Sequence, residues 1–378
     1  MCKMLRCNTL VEIFLWFVWL QAGKSVCNGQ TSDKSFKIIW NMQTSSCAKF
    51  GVHLDLEKYG IIQNSNGSFY GDRMNIFYDI GKFPFINEKG FINGGLPQLG
   101  NLHTHLSQAH QDIKKIIPDK DFDGFAVLDW ESWRPDWDTN WKPFNIYRDE
   151  SIKLAKKQFP TLNSNDILSI AKTQFEDNAR LFMQTLLIEA RKLRPKALWG
   201  YYGFPYCYNY NYLQKYCSKQ IRTDNSEIQW LYNSSSALFP TIYISEENQS
   251  NISNVVYVYG QIYESQRVSK DLNIPIYPYA IVHFRDTLNY MTQVDLIATI
   301  GQAAALGLPG VILWGRYRMV DNKAKCEKFK TYVTNTLGPT LKFIKTTVEN
   351  SLFDYLFFDD SIPNDQWLDL ILKYYSFI

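Results

Sequence analysis

The sequence predicts an α/β fold closed into a single β/α barrel of TIM-like type, and three observations carry that reading. Short apolar runs of about five residues alternate with stretches of helical period, the pattern of parallel βαβ units. About seven or eight such units follow one another within residues 36–345, which is the number and length one barrel takes. The rival is an open doubly wound sheet. It would carry a Gly-x-Gly-x-x-Gly turn after an early strand, and the sequence has none.

The elements follow in order. Residues 23–35 are polar and read as a loose lead-in. Residues 36–40 form the first strand and 74–78 the second. A turn at 97–101 opens a helix over 102–117, and 124–128 is the next strand. Residues 136–160 are polar and aromatic and read as a loop. The spacing of Ile167, Ile170, Ala171, Phe175, Ala179, Phe182, Met183 and Leu186 predicts a long helix over 166–193. Pro195 ends it, because proline cannot continue the hydrogen-bond ladder. Further strands are expected at 198–202, 240–244, 274–279 and 310–314. A helical stretch near Glu227 and helices over 255–271, 292–306 and 322–344 separate them or follow them.

Bulk properties narrow the function. The chain has 378 residues and a net charge of +3, with no basic stripe, so nucleic acid is not an expected partner. Aromatic residues make up 16%, with 24 Tyr and 11 Trp, which suits either a tyrosine-rich core or a carbohydrate cleft. Residues 1–22 read as a secretory signal: Lys3 and Arg6, an apolar run over 13–20, then Gln21-Ala22-Gly23. That run is too short to cross a bilayer, and no later stretch reaches spanning length.

Secretion implies an oxidising compartment. Cys2 and Cys7 leave with the signal and Cys27 lies near the cut, so Cys47, Cys207, Cys217 and Cys326 remain. They allow three pairings: Cys207 with Cys217 would close a small loop, and Cys47 with Cys326 would tie the start of the fold to its end. Their spacing fits no zinc template. Asn66, Asn233, Asn248 and Asn251 each open an Asn-x-Ser glycosylation sequon. His103, His105 and His110 lack a cysteine or acidic co-ligand at metal spacing and read as structural. No metal or cofactor is expected, and the chain is expected to act as a monomer.

The chemistry points to the end of the 124–128 strand, where Asp129 and Glu131 stand two residues apart. Residues so spaced on a strand share a face, so the carboxylates emerge together. In this reading Trp130, Trp133, Trp137 and Trp141 crowd around them. Mutual repulsion and lost hydration both raise a carboxyl pKa, so one of the pair can keep its proton near neutral pH. A general acid needs this. The same spacing also occurs where the acids are merely solvated or salt-bridged. In a barrel the working residues sit at the C-terminal strand ends. Tyr202, Tyr243 and Trp314 each close their own strand there. Each aromatic alone would suit a core, but five residues on one rim make a site.

The chain resembles the animal and venom hyaluronidases, a glycoside hydrolase family. The motifs that carry the resemblance are Asp123-Gly-Phe-Ala-Val-Leu-Asp-Trp-Glu-Ser-Trp-Arg-Pro135, Trp199-Gly-Tyr-Tyr-Gly-Phe-Pro-Tyr-Cys-Tyr-Asn209 and Phe77-Tyr-Asp-Ile-Gly-Lys-Phe-Pro84. Asn93-Gly-Gly-Leu-Pro-Gln98, Leu238-Phe-Pro-Thr-Ile-Tyr243 and Gly310-Val-Ile-Leu-Trp-Gly315 add to them, in family order. The resemblance implies a distorted barrel spanning 36–345 as a single catalytic domain, with a groove for a glycosaminoglycan polymer. Hyaluronan is the first such polymer and chondroitin the second. It implies hydrolysis of β-1,4 bonds after N-acetylhexosamine with retention, in which the substrate's own acetamido oxygen is the nucleophile. Glu131 matches the acid/base and Asp129 the carboxylate that orients the acetamido group. Tyr202 and Tyr243 match tyrosines of that subsite, and Trp314 its aromatic wall. The resemblance pairs Cys47 with Cys326 and Cys207 with Cys217. It implies a secreted protein, with lysosomal or granule storage as the variant.

The sequence departs from the family pattern in three places. Gln261 stands where the family usually places an arginine of the binding cleft. No cysteine-rich module follows Cys326. The acidic, aromatic tail over 346–378 matches no family segment. The first departure motivates an alternative reading, a weakly active or inactive glycosaminoglycan-binding or adhesion homologue.

Overall fold

The computed structural model describes residues 35–209, 214–247 and 251–349. The signal over 1–22, Cys27, the Asn248 sequon and the tail from 350 onward lie outside the described residues.

Among the described residues nine strands organise the fold. Lys37–Met42 (β1), Ile61–Ile62 (β2), Met74–Phe77 (β3), Phe85–Asn87 (β4) and Gly90–Ile92 (β5) come first. Phe125–Leu128 (β6), Leu198–Tyr201 (β7), Tyr279–Ile281 (β8) and Gly310–Gly315 (β9) follow. β4 and β5 form a small antiparallel hairpin beside the barrel. The others pair in parallel, in the orders β2-β1-β9-β8 and β3-β6-β7. Segment 238–244 joins the two sheets through single bridges, Tyr202 to Phe239, Leu238 to Ile276 and Thr241 to Tyr279. Together they make the wall of a distorted β/α barrel.

The two irregular places have physical causes. Residues 240–244 were expected as a strand and 274–279 as another. The structure keeps the first as isolated bridges and starts the second at Tyr279. Pro240, Pro275 and Pro278 lack N–H donors, so a continuous ladder cannot form across them. The pairing survives through their carbonyls: Leu238 N–H donates to Pro275 O at 3.0 Å and Tyr279 N–H to Pro240 O at 2.7 Å.

Among the described residues no ladder joins β3 to the β1–β2 side. Asn64, 2% exposed, serves the start of β3 instead. Its Oδ1 accepts from the N–H groups of Arg73 and Met74, both at 2.8 Å. Its Nδ2 donates to the carbonyls of Ser68, Phe69 and Met74 at 2.9–3.1 Å. One buried amide thus satisfies backbone groups that a neighbouring strand would otherwise pair.

The helices cover the outside of the wall. Leu102–Ile116 is capped by the Asn101 side chain, which accepts from Thr104 N–H. Ser164–Leu193 is capped by Asn163 and buries Ile167, Ala171, Phe175, Ala179, Phe182, Met183 and Leu186 against the sheet. Residues 136–160, expected as a loop, contain the helix Asn145–Gln158. Its inward positions are only Tyr147, Ser151 and Ala155, spaced four apart. A stripe so narrow and partly polar leaves little apolar periodicity to read. Asn251–Ser269 and residues 293–305 and 323–349 complete the layer, the last two each with one π-helical turn.

Two glycines mark where strands crowd. A Cβ on Gly124 would lie 2.2 Å from Arg73 O, and one on Gly310 2.1 Å from Lys37 O. Cys47–Cys326 and Cys207–Cys217 are both bonded, the first joining residues 279 apart in sequence.

Replacing Asn64 with alanine strands several buried backbone groups at once. Asn64→Ala is expected to lower the unfolding free energy on the order of 3 kcal/mol, read by urea denaturation of the purified protein.

Candidate active site

Strand alternation decides which side chains meet at the barrel mouth. The barrel interior holds Ile39, Met74, Ile76, Phe125, Val127, Phe239, Tyr279 and Ile312. These are alternate residues of their strands, and two steps further along each strand comes the rim. That step leads from Ile39 to Asn41, from Ile76 to Tyr78, from Val127 to Asp129 and from Ile312 to Trp314. Asn41 and Trp314 are direct partners in the β1–β9 ladder. Asp129 N–H donates to Phe77 O and Tyr202 N–H to Leu128 O, so pairing runs past the ends of the regular strands. Tyr202, Tyr243 and Trp314 pack on the interior cluster from this end.

The rim aromatics hold one another. Trp314 Nε1–H donates to the Tyr78 hydroxyl at 2.9 Å. The rings of Tyr243 and Trp314 lie nearly parallel with centroids 6.4 Å apart. Tyr202 lies 6.5 Å from Tyr243 and meets Tyr279 edge-on at 5.0 Å. Tyr279 O–H donates to Asn41 Oδ1 at 3.2 Å. Three buried polar atoms face this assembly without a hydrogen-bond partner: Asn41 Nδ2, Asp129 Oδ1 and the Tyr243 hydroxyl. Unsatisfied buried polar atoms are costly and rare, and at a cleft they mark where a ligand completes the bonding.

Electrostatics separates the two acids. Burial pushes Asp129 up from its ordinary 3.8 to about 7, with Glu131 adding repulsion. Burial also raises Glu131, but the Arg134 guanidinium draws it back down. Glu131 remains open to solvent along the cleft, whereas Asp129 is half-buried. Arg134 is held in an aromatic cage, 4.8 Å from the Trp141 ring, 4.9 Å from Phe144 and 5.0 Å from Tyr208. Its Nη1 also donates to Thr139 O at 2.6 Å. Tyr78 is pushed up to about 12, chiefly by burial. Tyr202 and Tyr243 are raised further by the same cause. All three phenols are therefore neutral donors at any working pH.

The four tryptophans divide. Trp130 stacks on Phe83 at 4.1 Å and is half-buried beside the acids. Trp133 and Trp137, expected beside the acids, are buried in the helical layer. Trp133 Nε1–H donates to Pro84 O at 2.7 Å, and both rings pack edge-on against Phe175. They anchor the loop rather than line the cleft. Trp141 reaches the site only as a wall of the Arg134 cage. Gln261 lies in the outer helical layer, on Asn251–Ser269. It is buried there and its amide donates to the Cys207 carbonyl. The glycosylation residues Asn66 and Asn233 are exposed.

Among the described residues no group of three or more metal-ligating side chains exists. His105 is buried and accepts from Lys82 N–H through Nδ1 at 2.9 Å, which is a structural task. His103 is exposed, and His110 Nε2 lies 3.2 Å from Glu189.

Sequence reasoning missed Tyr78, Asn41, Arg134 and Asp136. The first two were readable by carrying strand alternation to Asn41 near the end of β1 and to Tyr78 one residue past β3. Asp136 sits in the same loop as Arg134 and is 3% exposed. Its Oδ1 accepts from Thr139 N–H, while Oδ2 has no partner. Burial, with Asp224 and Glu176 nearby, lifts its carboxyl from 3.8 to about 7. Between those values the unfolded chain ionises while the folded chain holds its proton. Stability is therefore lost as pH rises through that window. Asp136→Asn keeps the Thr139 bond and removes the charge. It is expected to add roughly 1–3 kcal/mol at pH 8 and almost nothing at pH 3.5, measured by urea unfolding at both values.

Comparison with known proteins gives a consistent result. The family profile described as Hyaluronidase matches residues 27–351. The hyaluronidase of Crotalus adamanteus is 36% identical over 331 residues, covering 84% of this chain and 74% of the relative. Hyaluronidase-1 of Mus musculus is 36% identical over 342 residues, covering 87% and 74%. Bee venom hyaluronidase, solved in complex with a hyaluronic acid tetramer, superposes with a TM-score of 0.78 at 35% identity, covering 82% of this chain and 99% of that one.

Proposed function

The chain belongs to the hyaluronidase family of glycoside hydrolases, and from that premise we propose that it cleaves hyaluronan within the polymer. The bonds cut are β-1,4 links after N-acetylhexosamine, and the configuration at the anomeric carbon is retained. The observation that carries this reading is the Asp129–Glu131 pair at the barrel mouth, with both carboxyls raised and Asp129 Oδ1 left without a partner.

The chemistry follows from the geometry. Glu131 gives its proton to the glycosidic oxygen as that bond breaks. The acetamido carbonyl oxygen of the same sugar attacks the anomeric carbon and closes a five-membered ring. The amide N–H becomes acidic as positive charge develops there, and Asp129 Oδ1 accepts its hydrogen bond. That contact favours the ionised form of Asp129 and leaves the shared proton on Glu131. Arg134 stabilises the Glu131 carboxylate once the proton has gone. Glu131 then takes a proton from water, which attacks the anomeric carbon and reopens the ring. A saturated product end results, because nothing is eliminated.

The phenols of Tyr202 and Tyr243 supply neutral donors to the acetamido oxygen, and the stacked Tyr243–Trp314 pair offers the flat wall on which a sugar ring rests. This differs from the two-carboxylate retaining scheme, in which the second carboxylate attacks carbon. Gln261 takes no part, because its amide is committed to the Cys207 carbonyl. Chondroitin shares the acetamido group and the uronate and is the second polymer the scheme admits. The reaction is placed outside the cell, in keeping with two formed disulfides and exposed sequons at Asn66 and Asn233.

Two variants test the scheme. Glu131→Gln cannot donate a proton and is expected to lose about a thousandfold in polymer cleavage while unfolding at the wild-type temperature. Undiminished cleavage would sink the mechanism. Asp129→Asn is expected to lower kcat about a hundredfold. It should also shift the alkaline limb of kcat/KM, set near pH 7 by the pair, toward acid, because Glu131 loses a repelling neighbour. An unshifted limb in the pH–rate profile would separate the two carboxyls.

A further inference from the structure

A second surface, sharing no residue with the barrel mouth, combines exposed phenol rings with a cluster of cations. Tyr216 and Tyr263 are 36% and 37% exposed. Their rings lie 4.7 Å apart, and Tyr259 stacks beneath Tyr263 at 5.9 Å. Lys215 Nζ sits 5.0 Å from the Tyr259 ring and 5.5 Å from that of Tyr216. One helical turn beyond Tyr263 comes Arg267, held by Glu264 at 2.8 Å and donating to Arg222 O at 3.0 Å. Arg267 opens onto a hollow of about 390 Å³ that it shares with Lys219, Arg222, Thr223 and Ser226. Among the described residues neither Lys219 nor Arg222 has an ion pair. One acid, Glu227, stands on the wall of the hollow.

An aromatic shelf beside a cationic hollow has a specific chemistry. Sugar rings present C–H faces that rest on phenol rings, and uronate or sulfate groups alternate with those faces along an acidic polysaccharide. We propose that this surface, built on the helices Lys219–Glu227 and Asn251–Ser269, is an exosite for an acidic polysaccharide. Tyr216 and Tyr263 carry the rings, and Lys219 and Arg222 meet the anionic groups. The assignment rests on the reading of the chain as a glycosaminoglycan hydrolase. It adds a hold on the polymer outside the cleft, so that one chain end can leave while the strand stays bound. An unconnected acidic protein would need the cations but not the exposed rings.

The test compares long hyaluronan with a short oligosaccharide that fills only the cleft. Lys219→Ala/Arg222→Ala is expected to raise KM for the polymer about tenfold, as the loss of two solvent-exposed cation contacts would. It should leave kcat/KM for the oligosaccharide within twofold, and the difference should vanish in 0.5 M salt. Tyr263→Ala is expected to weaken the polymer alone, with Tyr263→Phe restoring it. Equal losses on both substrates, or no loss on the polymer, overturn the exosite. Polymer binding to the Glu131→Gln variant, followed by affinity electrophoresis, keeps this separate from catalysis. If the wild type cleaves nothing, the hydrolase reading fails, and the exosite still stands or falls on whether Lys219→Ala/Arg222→Ala abolishes that binding. Poly-glutamate binding that Tyr263→Ala leaves intact, with hyaluronan unbound, assigns the surface to an acidic protein instead.

Discussion

The period-two alternation of strand side chains, wrapped into a barrel, is the constraint on which the rest depends. It sends Val127 into the interior and Leu128 into the helical layer. One residue later it must send Asp129 toward the axis, where interior packing has run out. The same step delivers Asn41, Tyr78 and Trp314 to the same place from strands that are far apart in sequence. A register slip of one residue on β6 would exchange Asp129 for Trp130 at the mouth and turn the whole strand inside out. The helices that bury Leu128 and Ala126 therefore hold the geometry of the barrel mouth as firmly as its own residues do.

Much of this was legible in the sequence because it rests on local pattern. The long helix to Leu193 and the strands at β1, β3, β6, β7 and β9 each show their own period, and Asp129, Glu131, Tyr202, Tyr243 and Trp314 each sit at a strand end. What escaped depends on contacts between segments. The helix Asn145–Gln158 buries so little that only the structure reveals its inner face. The break at Pro240 and Pro275 shows which ladder bonds are lost, but not that carbonyls alone keep the pairing. Trp133 and Trp137 look like cleft residues from their distance along the chain. Their burial is decided by Phe175 and Pro84, which no local spacing announces. Gln261 is the sharpest case. The family pattern points to charge in the cleft, whereas the fold spends this side chain on a backbone carbonyl beside a disulfide.

The electrostatics shows why two neighbouring acids can behave differently. Desolvation acts on both, but only Glu131 has a cation at hand. Arg134 can serve it because three aromatic rings fix the guanidinium without neutralising it, as a carboxylate partner would. The cage therefore holds a positive charge where it offsets part of the burial that raises Glu131. Asp129 has no such cation and is raised to about 7. The difference between the two acids is thus built into the loop that follows β6.

That loop carries a cost. Burying Asp136 close to Asp224 and Glu176 stores unfavourable charge in the segment that must hold Glu131 still. The Asn140 contacts that oppose it are neutral. The Asn140 side chain donates to the carbonyls of Arg134 and Asp136 and accepts from Arg134 N–H, all within 2.7–2.9 Å. Trp137 N–H donates to Glu176 at 3.0 Å. The three Asn140 bonds involve no titratable group, so they fix the loop while the charge of Asp136 varies. A loop tied only by ion pairs would loosen as its carboxyls took up protons. The side-chain amide of Asn140 lets the acids of this loop change protonation without loosening the segment that follows β6.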